Sequence, residues 1–429
     1  MAHNTDIRLR SQVIYSIYVR AHTQEGTFNA IHADLDRIQA LGTDIIWFMP
    51  IHPIGVKGKK GSLGCPYANR DYRTTNPEYG TMADFQRLVD AIHARGMKCI
   101  IDVVYNHTSP DSTLVSQHPE FFYRKPDGNM GNRVGDWTDV VDLDYRCKEL
   151  WDYQIESLKM WASIVDGFRC DVASMVDVEF WCKARAAVAE VRPDCIWLAE
   201  TYMGVFALMN RQMGMYSCSD YEMFRAFDME YDYDIREVFD RYLQGKCNLS
   251  NYMDLMNFQE CQYPDNYIKM RFLENHDQPR IYQFVKAPQQ LRNFTAFLYF
   301  QKGSTLLYAG QEFCCDHIPS LFEKDVFPRD TGLDISPYLA KLNRMKKDIL
   351  SPDDYIHCAA HDESHTAILL RTNADSKKLG IFSLKAQPAA ISVPFPDGTY
   401  ANFLDGSTVT VENGTLLTTG EPIVITCNA

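Results

Sequence analysis

The sequence lacks several features that would assign it to a particular class of protein. No apolar run approaches the roughly 18 residues that span a bilayer. The first ten residues, MAHNTDIRLR, hold no apolar stretch of the kind a secretory leader needs. Neither a membrane partner nor export is expected. Positive charge is not in excess. The chain carries 43 Lys and Arg against 56 Asp and Glu, a net charge of −13 spread along its length. Such a surface repels phosphate backbones, which argues against a nucleic-acid partner. The 13 cysteines include no CxxC pair, and the one adjacent pair, Cys314 and Cys315, is poorly placed to bridge. Others, such as Cys99 and Cys170, sit inside apolar runs. Reduced, buried thiols and a cytoplasmic location are the expectation. No GxGxxG turn follows the first apolar strand, which weakens a doubly wound nucleotide-binding sheet. There is no internal repeat and no low-complexity tract.

What the chain does have is alternation. Short β-rich runs bounded by Gly and Pro are separated by longer amphipathic stretches. VIYSIYVR (13–20), DIIWFMP (44–50), KCIIDVVYN (98–106), VDGFRCDV (165–172), CIWLAET (195–201), IKMRFLEN (268–275) and GSTLLYAG (303–310) read as strands. Helical patterns over 28–42, 82–96, 147–164, 178–192, 287–301 and 336–350 lie between and after them. A sixth strand is expected near YEMFRAFD (221–228). Eight such units predict an α/β fold, a (β/α)8 TIM barrel. Residues 108–146 break the alternation and are rich in Asp, Gly and Pro, which predicts a functional insertion after the third strand. From about 353 the pattern turns to alternating strands divided by Asp397-Gly398, Asp405-Gly406 and Asn413-Gly414. That predicts a C-terminal antiparallel β domain, read as a β-sandwich over 353–429. The barrel would then occupy 10–107 and 147–352.

The chemistry of a TIM barrel stands at the C-terminal ends of its strands. There the third expected strand offers Asp102, Asn106 and His107. The fourth offers Arg169 and Asp171, the fifth Glu200, and the seventh Asn275, His276 and Asp277. A lone Asp after a strand is more often a cap or a turn residue. Arg, His and three acids gathered on one rim are not explained as independent caps. Asp102, preceded by apolar and small residues, reads as structural. Two carboxylates facing one bond are the tools of glycoside hydrolysis: one ionised to attack, one protonated to release the leaving oxygen. Arg169 is expected to hold Asp171 charged, while repulsion from Asp171 and Asp277 raises the pKa of Glu200. The 24 Tyr, 23 Phe and 6 Trp suit a sugar substrate, though most belong to the core. No HxH pair stands at the strand ends, so a metal-dependent barrel hydrolase is disfavoured.

DVVYNH (102–107), GFRCDVA (167–173), WLAE (197–200) and FLENHD (272–277) resemble, in order and spacing, the four signature regions of the α-amylase family, glycoside hydrolase family 13. PYANRDYRTTNPEYGTMADF (66–85) and GQEF (310–313) are similar to its segments after strands two and eight. The resemblance covers nearly the whole chain, including a short domain B at 108–146. It implies that Asp171 is the nucleophile, Glu200 the acid/base and Asp277 the third acid. It implies that Tyr67, His107, Arg169 and His276 surround the sugar being cleaved, with Tyr67 stacked beneath it. The implied reaction is retaining cleavage of α-1,4-glucosidic bonds in starch-like glucans or maltooligosaccharides. Transglycosylation at the same site and a non-catalytic glucan-binding protein are the alternatives. No cofactor is required. Calcium rests on Asn106 alone, a position that ligates it in many members, and no DxDxDG loop accompanies it. Ser174 and Met175 stand where many members carry a Lys-His pair touching the leaving side.

Overall fold

The computed structural model describes residues 2–428. Eight strands pair in parallel and in chain order: β1 (Val13–Ile17), β2 (Ile45–Phe48), β3 (Lys98–Val103), β4 (Gly167–Cys170), β5 (Ile196–Ala199), β6 (Met229–Tyr231), β7 (Lys269–Arg271) and β8 (Ser304–Tyr308). β8 returns to β1, so the sheet closes. The strands are buried on both faces and read as near-continuous apolar runs, as parallel strands under a helical coat must. The helices explain themselves locally. Thr81 and Asp84 form a capping box at the start of Met82–Ala94, and the helix buries Phe85, Leu88, Val89 and Ile92 on one stripe.

The sixth strand lies elsewhere than the sequence suggests. Residues 221–228 do not form it. Ser219 and Glu222 make a capping box that turns Asp220–Met223 into a helix, and the strand follows at Met229–Tyr231. Glu230 interrupts its apolar pattern, yet it is buried because Lys269 on β7 meets it at 3.2 Å. Ion pairing hid this strand from a reading based on hydrophobicity.

Between β3 and β4, His107–Thr108 pairs antiparallel with Val141–Asp142. This pairing folds the intervening segment, with its one-turn helix Thr113–Gln117, back over the C-terminal mouth of the barrel. After the barrel, strands Tyr355–His361, Thr366–Thr372, Ser376–Ser383 and Ile423–Asn428 form one antiparallel sheet. Strands Ala389–Ser392, Thr415–Thr418, Thr408–Glu412 and Gly398–Ala401 form another. A separate apolar core, including Leu379, Ile381 and Ile425 from the first and Ile391, Val411 and Leu416 from the second, lies between them. The first sheet docks on the barrel through Phe382, whose ring is 5.6 Å from Phe300 and 6.0 Å from Phe297. Arg371, paired with Asp354 at 3.1 Å, adds donations to the Phe300 and Gln301 carbonyls at 3.1 and 3.2 Å.

Candidate active site

The strand ladder delivers the acids to the rim. Arg169 lies in register with Asp102 on β3 and with Leu198 on β5. The ladder runs one residue beyond each strand: Asp171 N–H donates to the Val103 carbonyl and Glu200 N–H to the Cys170 carbonyl, both at 3.0 Å. Arg169 and Asp171, two apart, therefore share a face, and both carboxylates emerge above the same guanidinium.

That guanidinium is fully buried. Its Nη1 donates to both oxygens of Asp102, at 2.9 and 3.0 Å, and to Asp171 Oδ1 at 2.9 Å. Its Nε donates to the Tyr231 hydroxyl at 3.2 Å. Its Nη2 lies 2.9 Å from Glu200 Oε1, without the alignment of a hydrogen bond. The rings of Trp47, Tyr231 and Tyr67 stand 5.3, 5.3 and 5.7 Å from its central carbon, which closes the cation in an aromatic cage. Arg169 is thus shared among three carboxylates rather than dedicated to Asp171. Asp102, completely buried, also accepts from the Tyr67 hydroxyl at 3.1 Å. It orients Arg169 and Tyr67 from below, which agrees with its structural reading.

Glu200 is held from a second direction. The Val172 N–H donates to its Oε2 at 2.7 Å. To point that N–H across, Val172 adopts φ 36° and ψ 44°. The left-handed region is a costly conformation for a β-branched residue, and it sits immediately after Asp171. Burial pushes the Glu200 carboxyl up to about 8; Arg169 opposes the shift, and the negative charges of Asp171 and Asp277 add to it. Repulsion is therefore the secondary cause, where the sequence reading made it the main one. Burial likewise lifts Asp102 to about 7 against the pull of Arg169. At Asp277 burial also works against the charge, but His276 and Arg169 outweigh it and hold the carboxyl below the usual range.

His276 links the far side. Its Nε2 is 2.8 Å from the Tyr67 hydroxyl and 3.0 Å from Asp277 Oδ2. The Tyr67 and His276 rings stack at 5.5 Å and 10°. His107 stands under the Trp137 ring, 5.2 Å away, with Asn106 Nδ2 3.1 Å from its Nδ1. A cleft of about 370 Å³ opens over these residues. Tyr67, His107, Asp171, Glu200, His276 and Asp277 line it directly, while Arg169 lies beneath them. Lys60, Cys65, Trp137, Asp139, Tyr233 and Phe322 line it as well, and the sequence reading singled out none of them. A tryptophan in the polar stretch GDWTD was the one available signal. Ser174 and Met175 fall in a turn of 3-10 helix after Asp171, with Ser174 buried and its hydroxyl unpartnered.

For calcium, the side chains fit poorly. Beside Asn106, the buried Asp142 leaves Oδ1 without a partner, but its Oδ2 accepts from the Arg133 N–H at 2.8 Å, and the Arg133 guanidinium is 3.8 Å away. That falls short of the six to eight oxygens calcium takes. Among the described residues, no group of three His, Cys, Asp or Glu is arranged to hold a metal ion.

Comparison with known proteins places this geometry. The α-amylase catalytic-domain family model matches residues 10–127 and 134–348. The bacterial α-amylase C-terminal domain model matches 357–425. The crystal structure of an α-amylase from Lactobacillus plantarum is 42% identical with a TM-score of 0.94, over 98% of this chain and 100% of that one. A noncanonic maltogenic α-amylase, AmyB from Thermotoga neapolitana, is 31% identical with a TM-score of 0.86, over 98% and 100%. Among curated relatives, the α-amylase MalA of Haloarcula japonica is 27% identical over 70% of this chain and 44% of its own length. An α-1,4-glucan:maltose-1-phosphate maltosyltransferase of Rhodospirillum rubrum is 36% identical over 41% of this chain and 29% of its own length. The chain thus spans less than half the length of these two curated relatives. On its family models, its barrel and its near-complete structural match, the chain belongs to the α-amylase family.

Proposed function

We propose that the protein is a retaining glycoside hydrolase that cleaves α-1,4-glucosidic bonds of starch-like glucans or maltooligosaccharides. The observation that carries this reading is the pair Asp171 and Glu200, held over one cleft by one guanidinium, with Glu200 kept protonated near neutral pH. Arg169 occupies Asp171 Oδ1, which leaves Oδ2 to attack the anomeric carbon. As that bond forms, the glycosidic C–O bond breaks and the Glu200 proton passes to the leaving oxygen. Glu200, now ionised, takes a proton from the water that then attacks the ester, and the anomeric configuration is retained. Sharing one guanidinium favours the close spacing of about 5–5.5 Å that direct attack needs, over the wider gap of about 6.5–9.5 Å that accommodates a water in inverting enzymes. Asp277, His276, His107 and Tyr67 would hold the sugar hydroxyls and ring, and Asp277 would help to balance the positive charge of the transition state. No step is routed through a metal.

A second reading keeps the same ester but passes the sugar to another sugar in place of water. The similarity to maltosyltransferases over 41% and 46% of this chain supports it. Product analysis decides. Incubation with maltoheptaose, soluble starch, pullulan and sucrose should give only products shorter than the input if water is the acceptor. Products longer than the input would establish transfer, and no change on any α-glucoside would overturn both. We also infer the division of the chain near 107, 146 and 352, which the separate C-terminal core supports. A cytoplasmic setting is in keeping with thirteen free thiols.

A further inference from the structure

The loop after β2 is tied to both of its neighbours across the mouth of the cleft. On one side Lys60 reaches the segment between β3 and β4: its Nζ is 3.2 Å from the buried Asp139 carboxylate and donates to the Asp136 carbonyl at 2.9 Å. On the other side the loop is bound to the segment after β8. The Ser62 N–H donates to Glu323 Oε1 at 2.8 Å, and the Leu63 N–H donates to the Phe322 carbonyl at 3.0 Å. Arg20, buried beneath, donates to the Gly64 carbonyl at 3.0 Å and the Leu321 carbonyl at 3.1 Å, locking the two loops together. Lys60, Cys65, Asp139 and Phe322 all face the cleft. The result is a continuous strap.

Its position on the ring decides what it does. In a closed barrel of eight strands in chain order, β1 lies opposite β5. The strap is centred on the loop after β2, joined to the loop after β8 on one side and to the segment after β3 on the other, and β2 and β8 flank β1. Glu200, at the end of β5, must protonate the leaving oxygen, so the leaving part of the glucan runs toward β5. The segment after β5 contributes only Glu200 to the lining of the cleft, and its Met203 and Val205 are 40% and 56% exposed. The part of the chain that Asp171 captures runs the other way, into the strap. A cleft of about 370 Å³ is at the small end of ligand sites.

We propose that this strap ends the cleft on the captured side and admits one or two sugar units there, with Lys60 as the positioning residue that holds it shut. The inference rests on the hydrolase reading and goes beyond it: the enzyme would release glucose or maltose from non-reducing ends. The test uses maltoheptaose radiolabelled in its reducing-end glucose, sampled early in the reaction. The parent should yield labelled maltohexaose or maltopentaose together with unlabelled glucose or maltose. Lys60→Ala should add labelled chains of maltotriose and shorter at early times, and Lys60→Arg should restore the parent pattern, with thermal unfolding recorded for each. A parent that turns over but yields labelled fragments of every length from the start overturns this inference alone. So does a Lys60→Ala protein with an unchanged pattern. A parent without any turnover overturns the hydrolase reading and the inference with it.

Discussion

Glu200→Gln will cut turnover of maltooligosaccharides by about 10²–10⁴-fold, the range a positioned acid/base contributes, and the protein will remain folded. The amide keeps the size and the contact with the Val172 N–H at Oε2 but has no proton to give. The loss should shrink on an α-glucoside with an activated aryl leaving group, whose departure needs no proton in the first step. The pH profile carries the sign. Glu200 works protonated, with its carboxyl at about 8, so the parent rate should fall as pH rises through that region. The Gln variant should lose this alkaline limb. The parent's stability should fall with rising pH as well. A carboxyl raised from 4.5 to about 8 binds its proton more tightly in the folded state. Its favourable contribution is complete below about 4.5 and is lost as pH climbs toward about 8. Denaturant unfolding should show the Gln variant gaining on the parent across that interval. Near-normal turnover on a poor leaving group would remove Glu200 from the acid role.

How far the sequence reveals this site follows from what its residues say locally. Asp171 and Glu200 declare themselves because each directly follows a strand of the barrel, and Arg169 because it breaks the apolar pattern inside one, where a polar residue is conspicuous. The barrel is legible because β2 is wholly apolar and β1 and β3 are mostly so, broken only by Ser16 and by Lys98 and Asp102. β6 is not legible, because Glu230 and Lys269 satisfy each other inside the barrel and the pattern reads as polar. The strap is hidden for a different reason. Lys60 and Asp139 are 79 residues apart in the chain, and nothing in GVKGKKGS or GDWTDV marks one as the partner of the other. Loop pairings of this kind depend on which loops the barrel sets side by side. The strain at Val172 is equally silent, since valine is the last residue one would choose for a left-handed turn.

Arg169→Met should abolish measurable turnover and destabilise the fold, and the second effect should depend on pH. The guanidinium is the only cation in direct contact with Asp102, Asp171 and Glu200 among the described residues. Methionine fills much of the volume, so the loss is of charge rather than packing. Removing one partner of a buried ion pair costs about 3–5 kcal/mol, because the other charge stays desolvated. The acids can escape by taking up protons. Asp102 and Glu200 already sit at about 7 and about 8 with Arg169 pulling them down, so its removal lifts both further. Folded-state values above the unfolded ones mean that stability is retained below about 4 and lost as pH rises. Urea unfolding should therefore show a small difference between variant and parent at pH near 4 and a much larger one near neutrality. Arg169→Lys should recover part of the stability, since a point charge still offsets the acids, but little of the rate, since an ammonium cannot hold Asp102 and Asp171 through one planar fork while facing Glu200. A destabilisation that is the same at every pH would mean that Arg169 acts through packing against Trp47 and Tyr231, and would separate its fit in the aromatic cage from its charge.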